Sequence, residues 1–294
     1  MLKGGVSLDF STILYQGLVG LNLAMYLWLI AAGLTIAFGV LGVLNFAHGS
    51  LYMLGAYFAF SLYGAWKLNF WLAIFLAAAL VGVVGLIMER FFFKYIYKLD
   101  EAYQLILTFG FVLVFSDVVK IAWGGVFTIP PLPDIFKGTV GILGRPFPVY
   151  NLFIISAGII VAIVIWVLLE RGWWGKMVRA TASDREMASA MGINIATIFT
   201  SVFVFAAALA GLGGALSTPV RVVDPGVGTA VIIQAFVITV IGGLGNLKGA
   251  FVGALIVGLV SAYGILLFPG VELFLIYVIM ALVLLIKPKG LLGG

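Results

Sequence analysis

Six stretches of this sequence run for more than twenty residues without a charged side chain, and they decide its fold class. Ile13–Leu44 is 32 residues long, Leu68–Met88 is 21, Pro146–Leu169 is 24, Met187–Val220 is 34, and Pro225–Leu247 and Gly249–Val271 are 23 each. Roughly 18 apolar residues already suffice for a helix to span the hydrocarbon core of a bilayer. Only 9% of the chain is charged and 64% is hydrophobic, against about 25% and roughly 45–50% in soluble domains. A soluble fold would have to expose much of that excess as aggregation-prone apolar surface. Backbone in lipid must satisfy its own hydrogen bonds, which leaves helices or closed barrels. No long stretch alternates apolar and polar residues, so a barrel is not expected. The sequence specifies an all-α polytopic membrane protein. The shorter runs Gly49–Trp66, Ala102–Ser116 and Leu273–Ile286 bring the expectation to about eight transmembrane helices, with eight or nine crossings, in a single transmembrane domain over 1–294.

Composition removes several chemistries. The chain has no cysteine and one histidine, which excludes thiolate catalysis and disulfides and leaves no donors for a His/Cys metal centre. Its net charge of +5 is spread over separated loops, so nucleic acid is not an expected partner. One lysine, Lys3, precedes the first run, and no small-residue cleavage pattern follows; the first helix is expected to be retained.

Basic residues set the orientation. Arg90, Lys94 and Lys98, then Arg171, Lys176, Arg179 and Arg185, then Lys287 and Lys289 belong on the cytoplasmic side by the positive-inside rule. Trp123–Tyr150 holds only Lys137 and Arg145, with Pro130, Pro131, Pro133, Pro146 and Pro148. That segment, 123–150, is expected outside the cell, in extended backbone that the prolines favour.

Two segments look broken or re-entrant. Ile13–Leu44 as one helix would be about 48 Å long, against a core of about 30 Å, so it must tilt, protrude or break. Gly42-Val43-Leu44-Asn45-Phe46-Ala47-His48-Gly49-Ser50 follows it, and Gly242-Gly243-Leu244-Gly245-Asn246-Leu247-Lys248-Gly249-Ala250 is a similar string late in the chain. Interrupted helices in corresponding halves typify transporters, where freed backbone lines a pathway. On that reading Asn45, His48, Gly49, Asn246 and Gly249 approach a translocation path near mid-membrane. Close packing of helices through small residues is the competing reading. Elsewhere, Asp117 and Lys120 are spaced to pair with each other, and Arg221 and Asp224, beside Pro219 and Pro225, are expected at the outer surface.

The loop 170–192 carries the second signal. Ser183 followed by Glu186 has the spacing of a capping box, and Gly192 suits a left-handed C-terminal cap. The helix between them, about two turns, is too short to stand alone in water. It is either a docking element for a partner protein, offering Met187, Ala188 and Met191, or a connector lying on the membrane surface.

These motifs together resemble branched-chain amino acid ABC-importer permeases, specifically the shorter of the two paralogous subunits. The resemblance lies in Gly33-Leu34-Thr35 with Gly42 through Tyr57, in Arg179 through Asn194, and in Gly242-Gly243-Leu244-Gly245-Asn246 with Gly249-Ala250. It implies one half of a permease pair, two ATPase subunits and an extracytoplasmic binding protein, in the cytoplasmic (inner) membrane of a bacterium or archaeon. It also implies that 170–192 couples to the ATPases through Ser183, Asp184, Arg185, Glu186, Met187, Ala188, Met191 and Gly192. Met187 replaces the middle alanine of the broader importer motif. The chain has no phosphate-binding loop: its Gly175-Lys176 pair is followed by Met177 and has Glu170 where the first glycine would stand. ATP and Mg²⁺ are therefore expected on partner subunits, with no catalytic residue, metal or cofactor here. A secondary transporter or channel for small polar solutes, needing no ATPase, is the alternative. An intramembrane enzyme is disfavoured, since no paired acids lie within the runs.

Overall fold

The computed structural model describes residues 9–97, 99–125, 130–142 and 144–293; Lys3 and Lys98 lie outside them. Among the described residues the chain is helical apart from one small hairpin. Six helices are long and apolar enough to cross a membrane. They are α1 (Phe10–Leu41), α3 (Phe70–Met88, continued by a π-type turn and the short α4, Lys94–Ile96), α5 (Glu101–Trp123), α6 (Val149–Glu170), α9 (Ile195–Ser217) and α11 (Leu247–Leu267). Shorter helices complete the set: α2 (His48–Ala59, continued by a π-type turn to Ala65), α7 (Trp173–Ser183), α8 (Arg185–Ala190), α10 (Val227–Gly242) and α12 (Glu272–Ile286).

The first long run does not break within itself. α1 is one continuous helix of 32 residues, and its middle is buried on all sides: Met25 through Ala32 are at most 3% exposed. A helix apolar all round belongs in the centre of a bundle, where neighbouring helices replace lipid. Gly42, at φ +71°, stops it in the left-handed cap that glycine adopts without a Cβ clash.

The core has an internal inverted repeat. α1 packs along α11 as α9 packs along α3, and α2 lies on α9 as α10 lies on α1. In each half a full-length helix is followed by an irregular segment, 42–47 or 218–226, and then by a short helix, α2 or α10. Small residues allow the helices to approach closely. A Cβ on Gly258 would clash with the backbone of Gly20 and Ala24, and one on Gly85 with Ala207.

The two ends of the bundle differ. One gathers the ends of α1, α6 and α10 with α7, α8 and the tail: Arg185 donates to the carbonyls of Val40 and Leu41, and Leu291 N–H to that of Ile241. The other carries the Pro-rich segment. There β1 (Thr139–Ile142) pairs antiparallel with β2 (Arg145–Pro148). Arg145 donates to Thr12 Oγ1, and Tyr15 to the carbonyl of Pro146. Pro146 and Pro148 are in extended backbone as their rings require, while the strand pairing was not evident in the sequence.

Candidate translocation site

Both irregular segments turn back into the bundle before their short helices begin. His48, the first residue of α2, places Nε2 3.2 Å from the carbonyl oxygen of Ile30. Ile30 lies eleven residues before the end of α1, about 16 Å of helix. The chain therefore climbs back along α1 through 42–47 before α2 starts. In the other half, Pro219 and Pro225 block continuation of α9. The guanidinium of Arg221 sits over the ring of Tyr26, 5.0 Å from its centre, well inside the bundle. The outer-surface placement expected for Arg221 and Asp224 is thus corrected: both are half-buried, and Asp224 Oδ1 accepts the N–H of Gly226 at 2.7 Å.

The two short helices meet at their N-termini. A Cβ on Gly49 would collide with the carbonyl oxygen of Gly228 and with the Ile232 side chain, and one on Gly228 would lie 2.8 Å from the oxygen of Gly49. Neither terminus has a side-chain cap: the N-cap positions are Ala47 and Gly226. Among the described residues, the N–H groups of Gly49, Ser50 and Gly228 have no acceptor. Beside this junction α5 flanks an open cavity of about 290 Å³. Ser50, Ser116, Thr229 and Lys120 supply its polar wall and Met53, Val112 and Leu113 its apolar one. Lys120 is held by Asp117 at 3.0 Å, the pairing their spacing indicated. One turn further toward the Arg185 end, Phe46 stacks on Phe236 with ring centres 4.9 Å apart and lies 5.5 Å from Phe109.

The loop 170–192 forms the opposite feature, a helix held out from the bundle. Its cap is not the expected one. Ser183 is the last residue of α7, and Asp184 is the N-cap of α8, its Oδ1 accepting from Met187 N–H at 2.9 Å. Ser183 and Glu186 therefore do not form a capping box. A carboxylate at the N-cap meets the helix dipole and the free amides together, which makes it the stronger competitor. Gly192 ends the motif at φ +87°, as its identity indicated. Ala188 is buried against the bundle, while Met187 and Met191 are 61% and 77% exposed. Arg185 is the tether: its two hydrogen bonds to the last carbonyls of α1 are 3.0 and 3.1 Å, and its guanidinium lies over Phe199 of α9 at 5.0 Å.

The family described as the branched-chain amino acid transport system permease component matches residues 18–284. The chain belongs to this permease family. It is 30% identical to the high-affinity branched-chain amino acid transport system permease protein BraD of Pseudomonas aeruginosa, over 95% of each chain. It is likewise 30% identical to LivH of Escherichia coli K12 over 98% of each, and 29% identical to a probable LivH of Methanocaldococcus jannaschii over 90% of this chain and 88% of that one. Among solved structures, PsaBC from Streptococcus pneumoniae in complex with Fab aligns with a TM-score of 0.52 at 16% identity, covering 92% of this chain and 91% of that one; it shares the fold.

In this permease the residues singled out in the sequence separate into two places. Asn45, His48 and Gly49 lie at the junction and are buried, but the next residue, Ser50, is the one that lines the cavity. Asn246 and Gly249 lie at one end of the bundle, away from the junction. Asn246 caps α11 by accepting from Gly249 N–H at 2.9 Å and donates to the carbonyl of Leu292, at the end that also holds Arg185. There the backbones of Gly242 and Gly249 touch, so the small-residue packing reading holds for this string. The true counterpart of 42–47 is Thr218–Gly226. Pro225–Leu247 accordingly yields a helix of 16 residues rather than a full span. Glu89, which the sequence did not single out, is 3% exposed and accepts from Thr200 and Tyr97, tying α3 to α9.

Proposed function

We propose that this permease is one half of the membrane channel of an ATP-driven importer for branched-chain or related amino acids. A paralogous permease completes the channel, two ATPase subunits bind ATP and Mg²⁺, and an extracytoplasmic binding protein delivers substrate. The membrane is the cytoplasmic membrane of a bacterium or archaeon, crossed nine times, with 42–65 and 218–242 as the broken crossings and the Arg185 end inside the cell. Asp184 through Gly192 dock on the ATPases and carry their closure to the channel.

One observation carries the mechanism. Arg185 fastens α8 to the end of α1, and α1 receives His48 at Ile30, so a push on α8 is passed by a rigid helix to the junction of the short helices. A packed core of this kind switches between discrete arrangements instead of deforming smoothly. On this reading the ring cluster Phe46–Phe109–Phe236 is the barrier between the cavity and the inner end.

Purification of the tagged chain from native membranes should bring down two ATPases and a second permease. Proteoliposomes containing that complex should take up leucine only with ATP inside the ATPase compartment and binding protein on the other side. Uptake by the chain alone on an ion gradient would instead establish the secondary-transporter reading and overturn this one.

A further inference from the structure

We infer that the junction cavity is a carboxylate station: it holds the α-carboxylate of the passing amino acid against the uncapped ends of α2 and α10. The inference rests on the importer reading above. A buried helix terminus with no partner for its first N–H groups is rare, because an unmet buried donor costs roughly 1–3 kcal/mol. Here the buried start of α2, His48 through Ser50, meets the half-open start of α10, where Gly228 is buried while Gly226 and Thr229 are exposed. The donors left over are the amides of Gly49, Ser50 and Gly228, and a Cβ at Gly228 would lie only 3.2 Å from Ser50 N, so they form one cluster.

A second, independent observation points the same way. Ser50 is 3% exposed, its hydroxyl has no partner among the described residues, and it lines the cavity. Ser116 and Thr229 line the same space. The helix ends supply fixed partial positive charge, and Lys120 stands at the outer mouth. Donors without a resident acceptor select a ligand that brings its own lone pairs. The opposite wall, Met53, Val112 and Leu113, takes an aliphatic side chain. A volume of about 290 Å³ is at the lower limit for small-ligand sites, roughly 300–1,000 Å³. Carboxylate on one side and branched hydrocarbon on the other describe one amphiphile, an aliphatic amino acid.

The chain's lack of cysteine gives a direct test in the intact transporter. Ser50→Cys and, separately, Thr229→Cys are labelled with a small methanethiosulfonate in proteoliposomes of the whole complex. Leucine and 4-methylpentanoate, which keeps the carboxylate without the ammonium, should each slow labelling at both positions severalfold at millimolar concentration. 3-Methylbutylamine, which lacks the carboxylate, should not. Ser50→Ala should lower the uptake rate about tenfold or more while ATPase stimulation by loaded binding protein persists, as expected when one hydrogen bond to a charged group is lost. Equal protection by amine and acid, or no protection by either at Thr229→Cys when Ser50→Cys is inaccessible, overturns the station. If ATP-driven leucine uptake persists in the same vesicles, the importer reading survives that result. Absence of any ATP-driven uptake in the cysteine-free parent would instead count against the importer.

Discussion

Gly49 and Gly228 crowd each other's missing side chains: the carbonyl oxygen of each lies within clash distance of the position a Cβ on the other would take. This contact joins the two halves of the inverted repeat at the point where both short helices begin. It accounts for the glycine at each position by close approach alone, since neither residue has a positive φ.

Gly49→Ala and Gly228→Ala should each separate the short helices and abolish uptake, with a lowered melting temperature of the purified permease. Gly82→Ala is the control, because a Cβ there meets Ala208 and Val204 at an ordinary 3.6 Å. Overpacking costs about 1–3 kcal/mol in a core, so thermal unfolding should distinguish the first two variants from the third. Equal melting temperatures for all three would refute the contact.

How much of this was legible in the sequence follows from what each pattern encodes. Charge-free length reports the medium, so the class of fold was readable from runs such as Pro146–Leu169. It does not report where a helix stops. Pro225–Leu247 has the length of a span and gives a short helix, because Pro219, Pro225 and the packing of Arg221 on Tyr26 fix the break further upstream. Gly42–Ser50 and Gly242–Ala250 look alike in composition, yet one string turns into the bundle and the other closes a hairpin at its end. The real symmetry is fainter: Gly49-Ser50 matches Gly228-Thr229, and Ala56-Tyr57 matches Ala235-Phe236 at the same spacing. Ser183 was preferred as a cap by motif; Asp184 wins because α7 continues through Ser183.

That capping difference is testable. Asp184→Ala should remove the one side-chain acceptor at the start of α8 and destabilise it by about 1 kcal/mol. A six-residue helix has no reserve against such a loss, so leucine uptake should fall severalfold. Ser183→Ala should leave uptake within about twofold of the parent. The reverse order in the uptake assay would restore the capping box.

Sidedness has its own assay. Single cysteines at positions 94 and 176 should react with an impermeant maleimide only in inside-out vesicles, and one at position 137 only in intact cells. Position 137 is suited to this because Lys137 pairs only with exposed Asp134; that pairing holds the Asp134 carboxyl below its ordinary range and the Lys137 ammonium above its own. Labelling of 94 or 176 from outside would invert the proposed orientation and with it the placement of the ATPases.

Arg185 offers the sharpest test of coupling. Its guanidinium reaches two carbonyls at once, Val40 and Leu41, and covers the Phe199 ring. Lysine can keep the charge but not the planar fork. Hydrogen bonds from a charged donor are worth roughly 1.5–3 kcal/mol, enough to loosen α8 from α1 without unfolding the bundle. Arg185→Gln should therefore leave abundance and basal ATP hydrolysis near the parent while lowering ATP-driven uptake about tenfold. Arg185→Lys should fall between them. The decisive quantity is the number of leucine molecules moved per ATP, measured in the same proteoliposomes. A ratio unchanged in Arg185→Gln, with uptake and hydrolysis reduced together, would mean that α8 governs ATPase docking alone and that force reaches the junction by a route other than α1.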